Sequence, residues 1–535
     1  MMTRREAFRV LVTAAGAAAG AVPAHAARRS VALRTAAPRA DSPVAATTAG
    51  RVRGYMDNGI AAFKGLRYGA DTTGRRFLPP VPPTPWTEVR EATSFGPIAP
   101  QPTGQNWVLG EDCLHLNVWT PAIDDGRRRP VLVWFHPGAF SSDTSNRVET
   151  DGARLARRGN VVVVTVNHRL NAFGYLYLAP FGGPELADSG NVGMLDLVLA
   201  LRWVRDNVAG FGGDPGNVTI FGQSGGGAKA ATLMAMPEAA GLFHRVWTMS
   251  GQQVTASRMS TATTHARQLL DALSLTPDRV HELRTVPMER IVKASRAAAY
   301  LGPVKDGRSL PRDPFDPDAP PQSARLPMVL GNTHDETRTL IGRGNPSIFA
   351  LTWETLRARL EANSPFMGAL DRGEVIAAYR GMYPTYSPAD VFFAATTASR
   401  SWRGQVIEAE RRAADPVSAD RTWVFQLDWR SPIDGGKWGA YHGLDVPLIF
   451  DNVPLAPHLV GTGRDAQAVA DQMSDSLLAF GRTGRPDNPG IPAWPTYDLT
   501  RRRTLIFDAT PLVVDDPRGG ERRLFSPVAY VQPGT

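Results

Sequence analysis

The sequence predicts an α/β protein, with a mostly parallel central sheet, helices on both faces and a helical insertion. Short, continuously apolar segments recur at 114–119, 131–135, 161–166, 218–221, 246–249, 328–330 and 424–427. Because most of them do not alternate apolar and polar residues, they read as strands covered on both faces, the signature of parallel pairing. Helix-like stretches such as 151–158 and 195–208 lie between several of them, the alternation that builds such a sheet. The stretches 255–300 and 345–415 read as helical and form the insertion.

At the amino terminus, Arg4 and Arg5 precede an alanine-rich apolar run over 10–22, and Ala24-His25-Ala26 follows as a small-x-small cleavage signal. Residues 1–26 read as a secretory signal peptide of twin-arginine type, which predicts a secreted or extracytoplasmic protein. The run is too short and too rich in Ala and Gly for a stable membrane span. Residues 27–43 read as a disordered lead-in, and 44–535 as a single α/β domain. Within it, 50–68 reads as short strands joined by a turn at Asp57-Asn58-Gly59, a hairpin signal. The prolines of 78–86 exclude helix interior there.

Composition narrows the function classes. Of 535 residues, 43% are hydrophobic and 21% charged, as in a globular protein with a large core. The net charge of +8 raises a nucleic-acid reading, but the basic residues are scattered arginines with only 5 lysines and no aromatic-interleaved stripe. They read as a solvated surface, with no nucleic-acid partner. Cys113 stands alone, which excludes an internal disulfide. With no phosphate loop and no zinc spacing, no cofactor or metal is read.

The chemistry is concentrated at 218–227, VTIFGQSGGG. A strand leads into Gly222-Gln223-Ser224-Gly225-Gly226, and 228–236 reads as a helix, so Ser224 sits at the apex of a sharp strand-to-helix turn. Such a turn is strained and crowded, which is why glycines flank the serine at two residues before and after. A serine hydroxyl needs a base, and the base needs a third group to orient it. In α/β-hydrolases the chain order is Ser, acid, His. The loop after 326–331 carries Asp335 and Glu336, and only His442 and His458 follow it. His442 lies in the small-residue loop Gly439-Ala440-Tyr441-His442-Gly443, able to reach back over the sheet, whereas His458 reads as part of a packed turn. Between Asp335 and Glu336 the residues alone leave the choice open. After the strand 131–135, the loop His136-Pro137-Gly138-Ala139-Phe140 offers the N–H groups of Gly138 and Ala139, with that of Gly225, as an oxyanion hole. His136 precedes the serine and reads as structural.

Taken together with Phe63-Lys64-Gly65-Leu66-Arg67-Tyr68, Glu111-Asp112-Cys113-Leu114, the segment NHRLNAFGYL at 167–176 and Gly212-Gly213-Asp214-Pro215, the chain resembles the type-B carboxylesterases, cholinesterase relatives of the α/β-hydrolase fold. The resemblance runs over nearly all of 50–510. It implies a serine hydrolase cleaving small-molecule carboxylic esters, with Ser224 as nucleophile, Glu336 as acid, His442 as base, and Gly138, Ala139 and Gly225 as oxyanion donors. It also implies that Ser250 supports the acid. The same machinery admits amide or carbamate hydrolysis as an alternative, and a non-catalytic binding protein is the reading from another class. Three departures stand out. Gln223 replaces the family's glutamate before the nucleophile, removing a negative charge near the histidine. Pro137 replaces the first glycine of the oxyanion loop. The position of the family's disulfide partner for Cys113 is Ala99.

Overall fold

The computed structural model describes residues 42–363 and 365–533. The expected signal peptide at 1–26, and the lead-in as far as residue 41, lie outside the described residues.

Eleven strands form the central sheet: β1 (Tyr55–Asp57), β2 (Ile60–Arg67), β3 (His115–Thr120), β4 (Arg129–Phe135), β5 (Val162–Val166), β6 (Gly213–Gln223), β7 (Arg245–Met249), β8 (Met328–Thr333), β9 (Thr422–Leu427), β10 (Arg503–Phe507) and β11 (Leu512–Asp515). Their spatial order is β1-β2-β3-β5-β4-β6-β7-β8-β9-β10-β11. From β5 to β10 every pairing is parallel. The antiparallel pairings are confined to β1-β2-β3-β5 at one edge and to β10-β11 at the other. The seven apolar segments predicted as strands all lie in this sheet. β10 and β11 were not among those segments.

The hairpin β1–β2 turns at Asn58 (φ +48°) and Gly59 (φ +85°), two left-handed residues in a row, as a tight right-twisted hairpin requires. In β4, Val131, Val133 and Phe135 point to one core and Leu132 and Trp134 to the other, the two-residue period of a strand covered on both sides. The first core is closed by the helix Val192–Asn207 through Met194, Leu197, Leu201 and Val204. The second is closed by Ala153–Gly159 and by the long helix Arg464–Thr483 through Val469, Met473, Leu477 and Phe480. The 255–300 part of the predicted insertion packs into the first core through Leu269, Leu270, Leu283 and Ile291. A third cluster, around Leu356, Leu360, Val375, Tyr379, Phe392 and Phe393, belongs to the 345–415 part and gives it a core of its own. Its helices begin where the sequence provides caps: Asp371 accepts from the N–H groups of Gly373 and Glu374, and Ser387 with Asp390 forms a capping box. Among the described residues no helix is long and apolar enough to cross a membrane.

Candidate active site

The backbone of β6 ends at Gln223, Ser224 takes φ +54° and ψ −125°, and the helix Gly225–Leu233 starts at once. A left-handed conformation at a residue with a side chain costs on the order of 1–3 kcal/mol and persists only where the surroundings enforce it. Here they do. The Ser224 N–H donates to the Met249 carbonyl at 2.7 Å, and the Ser224 carbonyl accepts from Ala228 at 3.0 Å. A Cβ on Gly222 would fall 2.4 Å from the carbonyl carbon of Gly226, and one on Gly226 would fall 1.9 Å from the Phe135 oxygen. Gly225 and Gly251 are equally confined, their added carbons lying 2.2 Å from the Ala139 oxygen and 1.9 Å from the Ser224 oxygen. The glycines two before and two after the serine are therefore a packing requirement.

Gly225 abuts the loop after β4. There Gly138 (φ +87°) and Ala139 (φ +53°) turn left-handed in succession, and the Gly138 carbonyl accepts from Ser141 (3.2 Å) and Ser142 (3.0 Å). That leaves the N–H groups of Gly138 and Ala139 without a hydrogen-bond partner among the described residues. Gly225 is the first residue of its helix, and its N–H precedes the first intrahelical bond. The loop is held from below by Lys229, whose Nζ donates to the His136 carbonyl at 3.0 Å in a fully buried setting. Burial lowers the Lys229 pKa to about 7. Burial, reinforced by the Lys229 charge, also holds the imidazole of His136 well below the usual histidine range, and its Nδ1 lies 2.8 Å from the Pro137 carbonyl. The sequence reading missed Lys229, although a lone lysine inside the small, apolar run Gly225–Leu233 was the available signal.

The acidic loop follows β8. Glu336 is completely buried: one carboxylate oxygen accepts from the Thr333 N–H (3.0 Å) and from the Asn332 amide (3.1 Å), and the other meets Nδ1 of His442. Burial pushes this carboxyl up. The charge and hydrogen bond of His442, with Ser250 and Asn332, outweigh it and hold the group below the usual carboxylate range. Ser250 (φ +50°) contributes through its buried hydroxyl, although its Oγ stands outside strict hydrogen-bond geometry.

Asp335 does something different. Its Oδ2 accepts from the Ala440 N–H (3.0 Å), and its own N–H donates to the Ala440 carbonyl (2.9 Å). A Cβ on Gly439 would strike that same carboxylate oxygen at 2.2 Å. Of the two adjacent carboxylates, Asp335 grips the main chain of the loop that carries the histidine, and Glu336 touches the imidazole. His458, expected in a packed turn, is instead largely exposed and lies 3.4 Å from Glu149.

Two groups of residues thus come together: Ser224, Gly225, Gly138 and Ala139 on one side, and Glu336, Ser250 and His442 on the other. Gln223 joins them. Only 1% exposed, it directly precedes Ser224, and its amide nitrogen lies 3.4 Å from Nε2 of His442. With Nδ1 fixed on Glu336, the remaining ring nitrogen is turned toward the elbow. Cys113 is a free, buried thiol whose pKa burial raises.

Residues 41–517 match the family model described as the carboxylesterase family. The chain is 33% identical to para-nitrobenzyl esterase of Bacillus subtilis (strain 168), over 90% of this chain and 98% of that protein. It is 32% identical to phenmedipham hydrolase of Pseudarthrobacter oxydans, over 87% and 94%. Among solved structures, carboxylesterase EST55 of Geobacillus stearothermophilus superposes with a TM-score of 0.80 at 36% identity, covering 90% of this chain and 99% of that one. A strained serine elbow within a mostly parallel sheet, and similarity along nearly the whole length of such relatives, place this chain in the carboxylesterase family, as a carboxylic ester hydrolase of the α/β-hydrolase fold.

Proposed function

We propose that ester hydrolysis proceeds through an acyl-enzyme formed on Ser224, with His442 as the base and Glu336 as the acid that orients it. The observation that carries this reading is the contact between Nδ1 of His442 and the buried Glu336 carboxylate, beside a serine held in a strained elbow. Ser224 Oγ attacks the ester carbonyl carbon and its proton passes to Nε2 of His442. Glu336 stabilises the imidazolium so formed. The carbonyl oxygen, now negative, is received by the N–H groups of Gly138, Ala139 and Gly225, an arrangement worth several kcal/mol of transition-state stabilisation, on the order of 3 for one donor. The alcohol departs with the proton from His442. Water then adds to the acyl carbon by the same route and releases the acid and the free serine.

Ser224→Ala is expected to remove turnover of a p-nitrophenyl ester, and covalent labelling by an organophosphate, while leaving the folded protein intact by circular dichroism. Unchanged ester turnover in that variant would refute the assignment. Amide or carbamate hydrolysis by the same groups is the second reading, favoured by the similarity to phenmedipham hydrolase. Turnover of a carbamate at a rate comparable with its matched ester separates the two. Residues 1–26 are proposed as a twin-arginine export signal. Replacing Arg4 and Arg5 by lysine is then expected to keep the protein inside the cell in a fractionation, and undiminished export would count against it.

A further inference from the structure

Between the insertion helices Pro388–Thr396 and Arg403–Ala414 the chain makes a six-residue π-helical turn, Thr397–Trp402. Such turns are costly and recur at functional sites. This one is tied to the candidate active site from two directions. Thr397 Oγ1 accepts from the N–H of Thr337 (3.2 Å) and shares a hydrogen bond with its hydroxyl (2.9 Å), and Thr337 directly follows Glu336. Gln252 brings its side-chain amide to 3.2 Å from the Ser401 carbonyl. It follows Gly251, which is packed against the Ser224 carbonyl.

Arg400 projects from this turn. Other buried arginines in the molecule are matched: Arg169 with Asp196 at 2.6 Å, Arg76 with Glu111, Arg518 with Glu521. Arg412 has no carboxylate within 4 Å; it donates from Nε to Thr422 (2.9 Å) and from Nη2 to the Leu326 carbonyl (2.7 Å), and its Nη1 is left without a partner among the described residues. Arg400 makes one hydrogen bond, to Ser401 Oγ at 3.2 Å, and lies 5.9 Å from the centre of the Phe366 ring; among the described residues no carboxylate comes within 4 Å of it. Its side chain is half-buried and keeps accessible surface. The Glu336 carboxylate, whose charge reaches Arg400, is already engaged by His442, Asn332 and Thr333. A guanidinium offers five donors in a planar fork. Four of these are left for a ligand, in surroundings where burial disfavours an uncompensated charge.

We infer that Arg400 is a specificity residue that receives a free carboxylate on the substrate, so that esters bearing a second, unesterified carboxyl group are the preferred class. The inference rests on the ester hydrolysis proposed above, with Ser224 as the attacking group. The substrate carboxylate accepts two parallel N–H bonds from the fork, the geometry that makes arginine the residue of choice for planar anions. No bond to that carboxylate is made or broken; it anchors the ester while the reaction proceeds at the elbow.

The test is a pH-stat comparison of matched pairs. Monoethyl adipate against ethyl hexanoate places the carboxylate on the acyl side, and 4-acetoxybenzoate against phenyl acetate places it on the alcohol side. The wild-type protein is expected to favour the carboxylated member of at least one pair by about tenfold or more in kcat/KM, and which pair identifies the side. Arg400→Met is expected to erase that preference through a rise in KM for the carboxylated ester, leaving the neutral ester within about twofold, and Arg400→Lys to restore part of it. Equal losses on neutral and carboxylated esters, or a wild type with no preference in either pair, would overturn the inference. Neutral-ester turnover that survives Ser224→Ala would instead overturn the reading beneath it, so the two failures are separable.

Discussion

The two sides of the candidate site are built by different physics. On the elbow side the geometry is set by backbone meeting backbone: Gly222, Gly225, Gly226 and Gly251 leave no room for a single carbon, and Ser224, Gly138 and Ala139 are held left-handed. On the acid side, Asn332 and the Thr333 N–H hold Glu336, Asp335 holds the Ala440 main chain, and Glu336 holds His442. Steric confinement is all or nothing, because an atom that does not fit displaces a strand. A hydrogen-bonded chain is graded, because each link can be weakened separately.

The comparison is tested most severely by the smallest possible addition to the elbow. Gly226→Ala places a carbon 1.9 Å from the Phe135 oxygen. The expected cost is about 3 kcal/mol of stability, the upper range for overpacking, with ester turnover abolished. A shift of the denaturation midpoint and the loss of turnover are read together. A variant of wild-type stability and activity would show the elbow to be soft, and the contrast would fall. On the other side, Glu336→Gln keeps size and most hydrogen bonds and removes the charge that faces His442. Turnover is expected to drop by about 10³ in kcat, roughly 4 kcal/mol at the transition state, with stability changed by about 1 kcal/mol or less. A fall in stability as large as that of Gly226→Ala would place the acid side in the same steric class.

The elbow was legible in the sequence because its causes are local: a strand, five residues and a helix, with glycines where neighbouring backbone must pass. The central strands were legible for a similar reason, since Val162–Val166 and its neighbours carry β-branched, largely apolar sequences that burial on both faces explains. β10 escaped because Arg501-Arg502-Arg503 masks the start of Arg503–Phe507, and β11 because an edge strand pairs on one side only. Asp335 and Glu336 were indistinguishable because they are adjacent and chemically alike. What separates them is the approach of Ala440 to one and of His442 to the other, more than a hundred residues along the chain. Arg400 was illegible because a charge looks solvated until the fold encloses it, whereas Lys229 left a trace as a lone lysine in the small, apolar run Gly225–Leu233.

Lys229 sharpens the comparison, since it is a hydrogen-bonding side chain placed beneath the steric side. Its pKa, about 7 in the folded protein, lies below the ordinary lysine value of roughly 10.4. Between those limits the unfolded chain binds the extra proton. The stability lost to burying this charge is therefore greatest below pH 7 and is recovered as pH rises. Relative to Lys229→Met, in which other titrations cancel, the wild-type protein is expected to gain about 2 kcal/mol of stability between pH 7 and 9. Denaturation midpoints of both proteins at the two pH values measure it, and a constant difference would mean that the lysine does not titrate in that window.

Gln223 is where the two sides touch, so the smallest predicted effect reports most directly on their coupling. Its amide lies 3.4 Å from Nε2 of His442 while its backbone continues into Ser224. Gln223→Glu is close in volume, so it tests electrostatics without disturbing the packing of a residue that is 1% exposed. A carboxylate at that point favours the protonated imidazole, and a protonated base cannot accept the serine proton. The acid limb of the kcat/KM profile is therefore expected to move to higher pH by under about one unit, or 1.4 kcal/mol, with the turnover plateau little changed. The same negative charge should improve the ranking of cationic esters against neutral ones. If both the profile and the ranking stay where they are in the wild type, Gln223 is a packing residue, and the elbow and the histidine are coupled through Ser224 alone.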